Sequence, residues 1–382
     1  MDSLAGTEAQ QRSTRCRHRD PPTRTRRTRF VCVSDTHNTT VKLPKGDVLI
    51  HAGDLTNQGS YSELSRAVAW LEKAPFEAKI VVAGNHDLTL DAPFYAVHGP
   101  HFHNQARQSP SDCLALLTSS PSITYLNHAS TKITLTSPSG PRTSFSVFGS
   151  PYSPRNGLWA FSYDTPPQSQ TTLTAADLPA LWDDIPLDAD VVVTHTPPRT
   201  HRDESRLRRA AGCEALRRAL WRVRPRLAVC GHVHEARGAE RVAWDLGCAN
   251  TAFKEDGVAG WEDPGVGGKQ SLVDLTAKGG RALENDGAVR GKVEDVSVKT
   301  EVVGLDVRGL GGDPASVRAD SEALMGRLGR RETCVVNCAV MAKSWPHVGG
   351  KTVNKPIVVD LDLPVWEEEA LYVTTNDDPS AE

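Results

Sequence analysis

The stretch VVAGNHDLTL, residues 81–90, decides how this chain is read. An apolar run with the character of a buried strand stops at Gly84 and gives way to an amide, an imidazole and a carboxylate: Asn85, His86 and Asp87. Working outward, short strand-like runs recur at about 29–35, 47–52, 79–83, 123–127, 132–136, 145–149, 190–194, 226–230 and 241–246. Several are continuously apolar, as strands covered on both faces are. Ser60 and Glu63 form a capping box at the head of a helix predicted over 61–73, with Leu64, Ala67, Val68 and Leu71 on one face. A second helix is predicted over 213–223, stopped by Pro225. Alternation of strand and helix indicates an α/β architecture.

Residues 254–330 break the rhythm, holding fifteen of the thirty glycines among charges and few aromatics. They are expected to be a Gly-rich flexible insertion, with room for a small hairpin over 293–307. Two further strands, within 332–342 and 355–364, are expected to rejoin the same sheet system. Residues 1–27, rich in Arg, are expected to be a disordered basic tail, and 366–382 an acidic one.

The strand ends carry the chemistry. SDTHN supplies Asp35 and His37, GD supplies Asp54, GNHD supplies Asn85 and His86, THTPP supplies His195, and GHVHE supplies His232 and His234. Each follows a predicted strand, the edge of an open α/β sheet where ligands bind. Imidazole, carboxylate and one amide, without thiolate, suit Mn, Fe or Zn in a reactive site and argue against a structural zinc knot. Eight groups exceed the about four to six that one ion takes, so two ions fit better, with Asp54 as the natural bridge. Two divalent ions against Asp35 and Asp54 leave a charge of about +2, or +1 with a hydroxide between them. Such a site attracts an anion, and a phosphate ester is an apt one. Gly84 and Gly231 are expected to let backbone and substrate approach closely.

Taken together, SDTH, GD, GNHD, THTPP and GHVHE in this order resemble the calcineurin-like metallophosphoesterase superfamily. The resemblance implies a two-sheet β sandwich flanked by helices, in αββα order. It implies Asp35, His37, Asp54 and His234 around one metal, and Asp54, Asn85, His195 and His232 around the other. His86 would not ligate; it would touch the phosphate and protonate the leaving oxygen after attack by a metal-bridged hydroxide. Protein Ser/Thr phosphatases carry an Arg where GDLTNQG has Gln58, which counts against that branch. Longer stretches, among them GDVLIHAGDLT, GSPYSPRNGLWAF and NKPIVVDLDLP, are similar to metallophosphoesterase-domain-containing proteins related to class III cyclic-nucleotide phosphodiesterases. This implies a metallophosphoesterase domain over 28–253 plus 331–365, two divalent cations with Mn favoured and Fe, Zn or Mg as alternatives, and a small phosphodiester substrate. A phosphomonoesterase and a weakly active or non-catalytic scaffold of the same fold are the competing readings. Intact His232 and His86 favour an enzyme.

Other residues invite weaker readings. Arg155, Asn156, Trp159 and Arg202 either wall the substrate or pack as ordinary loop residues, and Asp87 either orients its neighbours or caps a turn. His51 is expected to be packed, and HGPHFH, 98–103, to be a solvated loop. Eight cysteines without regular spacing read as free thiols of a reducing compartment. No run approaches the ~18–20 apolar residues that span a bilayer, and the first residues lack the apolar core of a secretory signal. A cytoplasmic protein acting on a small phosphoester, without membrane or nucleic-acid partners, is expected; the Arg-rich start leaves a nuclear or mitochondrial address open, and the oligomeric state has no sequence signal.

Overall fold

The computed structural model describes residues 24–166, 178–246, 253–266, 268–286, 329–343, 350 and 352–366. The strands run in chain order β1 (Thr25–Val33), β2 (Val48–Ala52), β3 (Ala78–Val82), β4 (Thr124–Tyr125) and β5 (Ala129–Thr134). They continue with β6 (Ser144–Ser150), β7 (Ser153–Pro154), β8 (Ser162–Tyr163), β9 (Val191–Thr194) and β10 (Leu227–Cys230). The last are β11 (Gly238–Asp245), β12 (Lys254–Gly260), β13 (Ser271–Asp274), β14 (Glu332–Asn337) and β15 (Ile357–Pro364). Four helices accompany them: α1 (Tyr61–Lys73), α2 (Ala92–Phe102), α3 (Pro110–Thr118) and α4 (Glu214–Val223).

The strands form two large sheets and a two-stranded ribbon, β7-β8. One sheet has the order β13-β15-β1-β2-β3-β4, the other β12-β11-β14-β10-β9-β6-β5. Pleating explains the layers. Phe30 and Cys32 of β1 face the second sheet, where they meet residues such as Phe145, Val191 and Val229. Val31 and Val33, on the opposite face, pack under α1 and α3 with Leu64, Leu71 and Leu117. Across the molecule Val192, Ala228 and Val335 pack against Leu216, Leu220 and Trp221 of α4. The order is therefore helix, sheet, sheet, helix, as the motif resemblance implies, and every central strand is apolar on both sides.

Local signals act as expected at the two anticipated helices. Ser60 and Glu63 close a reciprocal capping box on α1. At the end of α4 a left-handed Arg224 takes the place usually held by glycine, and its buried guanidinium donates to the carbonyls of Trp221 and Arg222.

Several expectations need correcting. Residues 254–286 are not an insertion: β12 pairs antiparallel with β11, and β13 pairs parallel with β15, one at the edge of each sheet. Edge strands need little apolar content, and β12 is exposed along most of its length, so composition hid it. The rest of that stretch, 287–328, with the expected hairpin at 293–307, lies outside the described residues. The fold also starts earlier than expected, since Thr25 to Arg27 of the anticipated tail pair with Pro364 to Asp362. Trp366, expected in the acidic tail, donates its indole N–H to Leu135 at 2.7 Å; residues 1–23 and 367–382 lie outside the described residues. HGPHFH is not a loop; it forms the end of α2 and its cap, with Pro100 inside the helix and His103 bonded to the Tyr95 hydroxyl at 2.8 Å. Among the described residues no helix is long and apolar enough to cross a membrane.

Phe145 is 1% exposed and meets Phe30 edge to face, 5.3 Å between ring centroids, at the junction of the two sheets. Phe145→Ala should cost about 3–5 kcal/mol of unfolding free energy. Chemical denaturation checks this, and a loss below about 1 kcal/mol would mean that the sheets do not rely on this contact.

Candidate metal centre

Five parallel pairings align the C-terminal ends of β1, β2 and β3 in one sheet and of β6, β9, β10 and β14 in the other. The loops that leave β1, β2, β3, β9 and β10 on this edge bring all eight candidate groups together. The first loop runs beside the second: Asp35 N–H donates to Gly53 O, His37 N–H to Asp54 O and Asn38 N–H to Leu55 O. That path demands unusual backbone, and Asp35, His37, Asn38, Asp54 and His232 all take positive φ, between 43° and 67°. Such conformations cost of order 1–3 kcal/mol each and persist where the surroundings enforce them.

Asp35 and His195 are wholly buried, and Asp54 is 2% exposed. One donor atom each from Asp35, His37 and His234 lies within 4.8 Å of the others, and so do those of Asp35, Asp54 and His195. Asp54 Oδ2 is 3.5 Å from both His37 Nε2 and His195 Nε2, which places it between the two groups. His234 Nε2 is 3.2 Å from Asp35 Oδ1. His195 Nε2 is also 2.9 Å from Asn85 Oδ1 and 3.2 Å from His232 Nδ1.

The imidazoles are oriented as metal ligands usually are. His37 Nδ1 lies 3.1 Å from the Thr56 carbonyl and His195 Nδ1 3.0 Å from that of Ala52, so each can give its N–H to the backbone and turn Nε2 inward. The carboxylates are held by N–H groups of the opposite loops: His232 N–H reaches both oxygens of Asp35, and His86 N–H reaches Asp54 Oδ1 at 2.8 Å. A set of mixed nitrogen and oxygen donors in this arrangement fits divalent cations.

The electrostatics show what balances the site without a cation. Burial opposes a charge on His195, but Asp54 outweighs it and lifts the imidazole to about 9. His234 is likewise lifted to about 9, against burial, by Asp35. The two carboxylates are correspondingly held below their usual range, against burial, Asp35 chiefly by His234 and Asp54 chiefly by His195. Burial keeps His37 and His232 neutral, pushing them down to about 4 and about 3. Each buried carboxylate thus favours the charged form of one imidazole, Asp54 that of His195 and Asp35 that of His234.

His86 stands on the rim, half-buried. Its Nδ1 lies 2.9 Å from the Asn57 carbonyl, and its ring stacks on Trp159 at 4.0 Å between centroids. With Nδ1–H on that carbonyl, Nε2 is free for a substrate. Trp159 is thereby a neighbour of His86. Arg155 and Asn156 line a cleft that His232 also lines, with Arg155 bonded to Asp164 at 2.6 Å. Arg202, read as either a substrate wall or a packed loop residue, does not line that cleft: it packs on Gly238 and pairs with Glu240 at 3.2 Å. His51 is packed, its Nε2 3.0 Å from the Thr36 hydroxyl.

Two supports had no reading from the sequence or an undecided one, and the reading of a third, the glycines, needs correcting. Asp87 is a knot between two loops, accepting from Gly84, Leu55 and Thr56 N–H and from the Thr56 hydroxyl. Asn337 donates to the carbonyls of Gly231, Val233 and Arg202, and so holds the loop of His232 and His234; a lone amide in the apolar run CVVNCAV was its signal. The glycines make room for protein rather than substrate. A Cβ on Gly84 would strike Asp54 and His195, one on Gly53 would strike His195, and one on Gly231 would strike Ser34 and Asp35.

Residues 28–236 match the family model for calcineurin-like phosphoesterases. Over 220 residues the chain is 42% identical to a probable rhamnogalacturonate lyase C of Emericella nidulans, covering 57% of this chain and 18% of that one. It is 36% identical over 222 residues to the human metallophosphoesterase domain-containing protein 1, covering 55% of this chain and 62% of the relative. A Caenorhabditis elegans protein of the UPF0046 series is 32% identical over 234 residues, 59% of this chain and 68% of that one. The match thus spans under a fifth of the fungal relative and under two thirds of the human one.

Cations entering at pH 7 must expel the protons on His195 and His234. Calorimetric titration of Mn in buffers of different ionisation enthalpy should show about two protons released per loaded protein, with apparent affinity rising up to pH about 9. Metal-free stability should move the other way: the two ion pairs are complete below the ordinary histidine value of about 6.5 and are lost as pH passes about 9. Titration without proton release would refute this charge pattern. Gly231→Ala, by displacing Asp35, should weaken cation binding about tenfold or more, at unchanged circular dichroism; unaltered affinity would show that the loop tolerates the methyl.

Proposed function

The chain belongs to the calcineurin-like phosphoesterase family, and on that premise we propose that it is a dinuclear metal-dependent phosphoesterase that hydrolyses a small phosphodiester, with cyclic nucleotides within its scope. The observation that carries this reading is the convergence of Asp35, His37, Asp54, His195 and His234 on one buried edge, with half-buried His86 and His232 above it. Asp35, His37, Asp54 and His234 would hold one cation and Asp54, Asn85, His195 and His232 the other, with Mn the favoured metal. When bound, such a pair supplies Lewis acidity and lowers the pKa of water.

The chain's own residues supply the remaining functions. Asp54 lies between the two donor groups and keeps them in register, itself fixed by the His86 N–H. The His86 ring, held edgewise by the Asn57 carbonyl and face-on by Trp159, presents Nε2 as the proton donor to the departing oxygen. Ring orientation of this quality matters because proton transfer needs hydrogen-bond distance to the leaving group. Asn57 and Gln58, where protein phosphatases carry Asp and Arg, support a small substrate over a phosphoprotein. Six described cysteines are free and buried, which supports work in a reducing compartment, the cytoplasm.

With Mn, purified protein should hydrolyse bis-p-nitrophenyl phosphate faster than p-nitrophenyl phosphate. His86→Ala should lower kcat by about 10²-fold or more for an alkyl leaving group, and much less for p-nitrophenolate, which departs without a proton. Bound metal should stay the same. A monoester cleaved as well as the diester would refute the phosphodiesterase reading, and equal losses for both leaving groups would refute His86 as the acid.

A further inference from the structure

On the His232 flank of the centre the surface opens into a cleft of about 640 Å3. Its charge is unlike that of the metal floor. Four arginines, Arg155, Arg199, Arg206 and Arg209, line it against two acidic residues, Glu214 and Glu235. Arg155 is bonded to Asp164, and Glu214 is occupied by Arg217 and Arg218 at 2.8 and 2.9 Å. Among the described residues Arg199, Arg206 and Arg209 make no side-chain hydrogen bond or ion pair. Arg206 and Arg209 are thus left on one cleft without a carboxylate partner among the described residues, while Arg199 feels the charge of Asp203.

The segment that carries them is built rather than loose. It leaves the chain directly after His195 and returns before α4. Its base is closed by Arg199 N–H to Cys213 O at 3.0 Å and Cys213 N–H to Pro197 O at 2.9 Å. Asp203, 4% exposed, accepts from Thr200 N–H and Gly212 N–H, and its charge also acts on Arg199 and His201. Glu204 pairs with Ala210, and Ser205 N–H donates to Arg209 O at 2.9 Å, which makes a hairpin of the tip. The hairpin therefore holds Arg206 and Arg209 at a set place relative to His195.

We infer that this hairpin is a recognition element for a second anionic group on the substrate, distinct from the phosphate that is hydrolysed; the inference rests on the phosphoesterase reading of the centre. The side of the substrate follows from geometry. His86 does not line the cleft, whereas His232 does. A leaving group departing beside His86 is directed away from the arginines. The anion they bind belongs to the ester group that stays on the phosphorus. Guanidinium forks suit carboxylate or phosphate oxygens, which they bind with paired, charge-assisted hydrogen bonds.

Two diesters with one leaving group test this: p-nitrophenyl phenyl phosphate and p-nitrophenyl p-carboxyphenyl phosphate, assayed with the Mn-loaded protein. The carboxylated ester should show a KM about tenfold lower at similar kcat, with the advantage shrinking in high salt. Arg206→Ala and Arg209→Ala should each erase most of that difference. Equal KM values, or variants that slow both esters alike, would overturn the inference. Calorimetry of p-carboxyphenyl phosphate against phenyl phosphate, on the same loaded protein, decides the matter without turnover. Tighter binding of the carboxylated compound supports the cleft, and equal or absent binding overturns it. If neither diester is cleaved while the carboxylated monoester still binds more tightly, the hydrolytic reading fails and the anion site stands.

Discussion

Two carboxylates shut away from solvent, Asp35 and Asp54, are the constraint on which this molecule is arranged. A buried charge left alone costs several kcal/mol, so each must be answered by donors and by positive charge close at hand. Parallel strands that end on one edge deliver those partners from five different loops. Glycine at 53, 84 and 231 lets the loops close to the needed distance, and positive φ at Asp35, Asp54 and His232 turns the side chains and N–H groups inward. These features oppose stability locally. They are affordable because the strands beneath are apolar on both faces and packed between helices.

The floor and the rim of the centre divide the work. Asp35, Asp54 and His195 are inaccessible and tied to backbone groups, so their positions barely depend on what approaches. His86 and His232 are only half-buried and stand on the rim. Each rim residue also marks a neighbouring surface: the Trp159 ring beside His86, and the arginine-lined cleft beside His232.

The eight groups of the centre were legible in the sequence because each follows a strand whose apolar run is unmistakable. A strand end is a local feature, and so is the capping box of α1. What escaped reading depends on contacts between distant segments. Asn337 stands about a hundred residues from the loop it holds, and nothing local distinguishes an amide that bonds three carbonyls from one that faces water. Edge strands β12 and β13 lack the apolar density that marks central ones, and so read as an insertion. Arg202 looked free for substrate because Glu240, its partner, is contributed by another strand. Helix α2 was hidden by Gly99 and Pro100 within its last turn.

The position of β14 and β15 carries a consequence for biosynthesis. Every candidate ligand has been translated by His234, yet β14 fills the space between β10 and β11, and β15 that between β1 and β13. Ser34, next to Asp35, exchanges hydrogen bonds with the segment after β14, donating to Cys338 and accepting from Val340. A nascent chain that has emerged only as far as the last histidine therefore holds the complete ligand set on two sheets that each lack every strand on one side, beyond β1 in the first and beyond β10 in the second. Assembly waits for β14 and β15 to leave the ribosome, and until then its apolar strand edges lie open to chaperones and to one another.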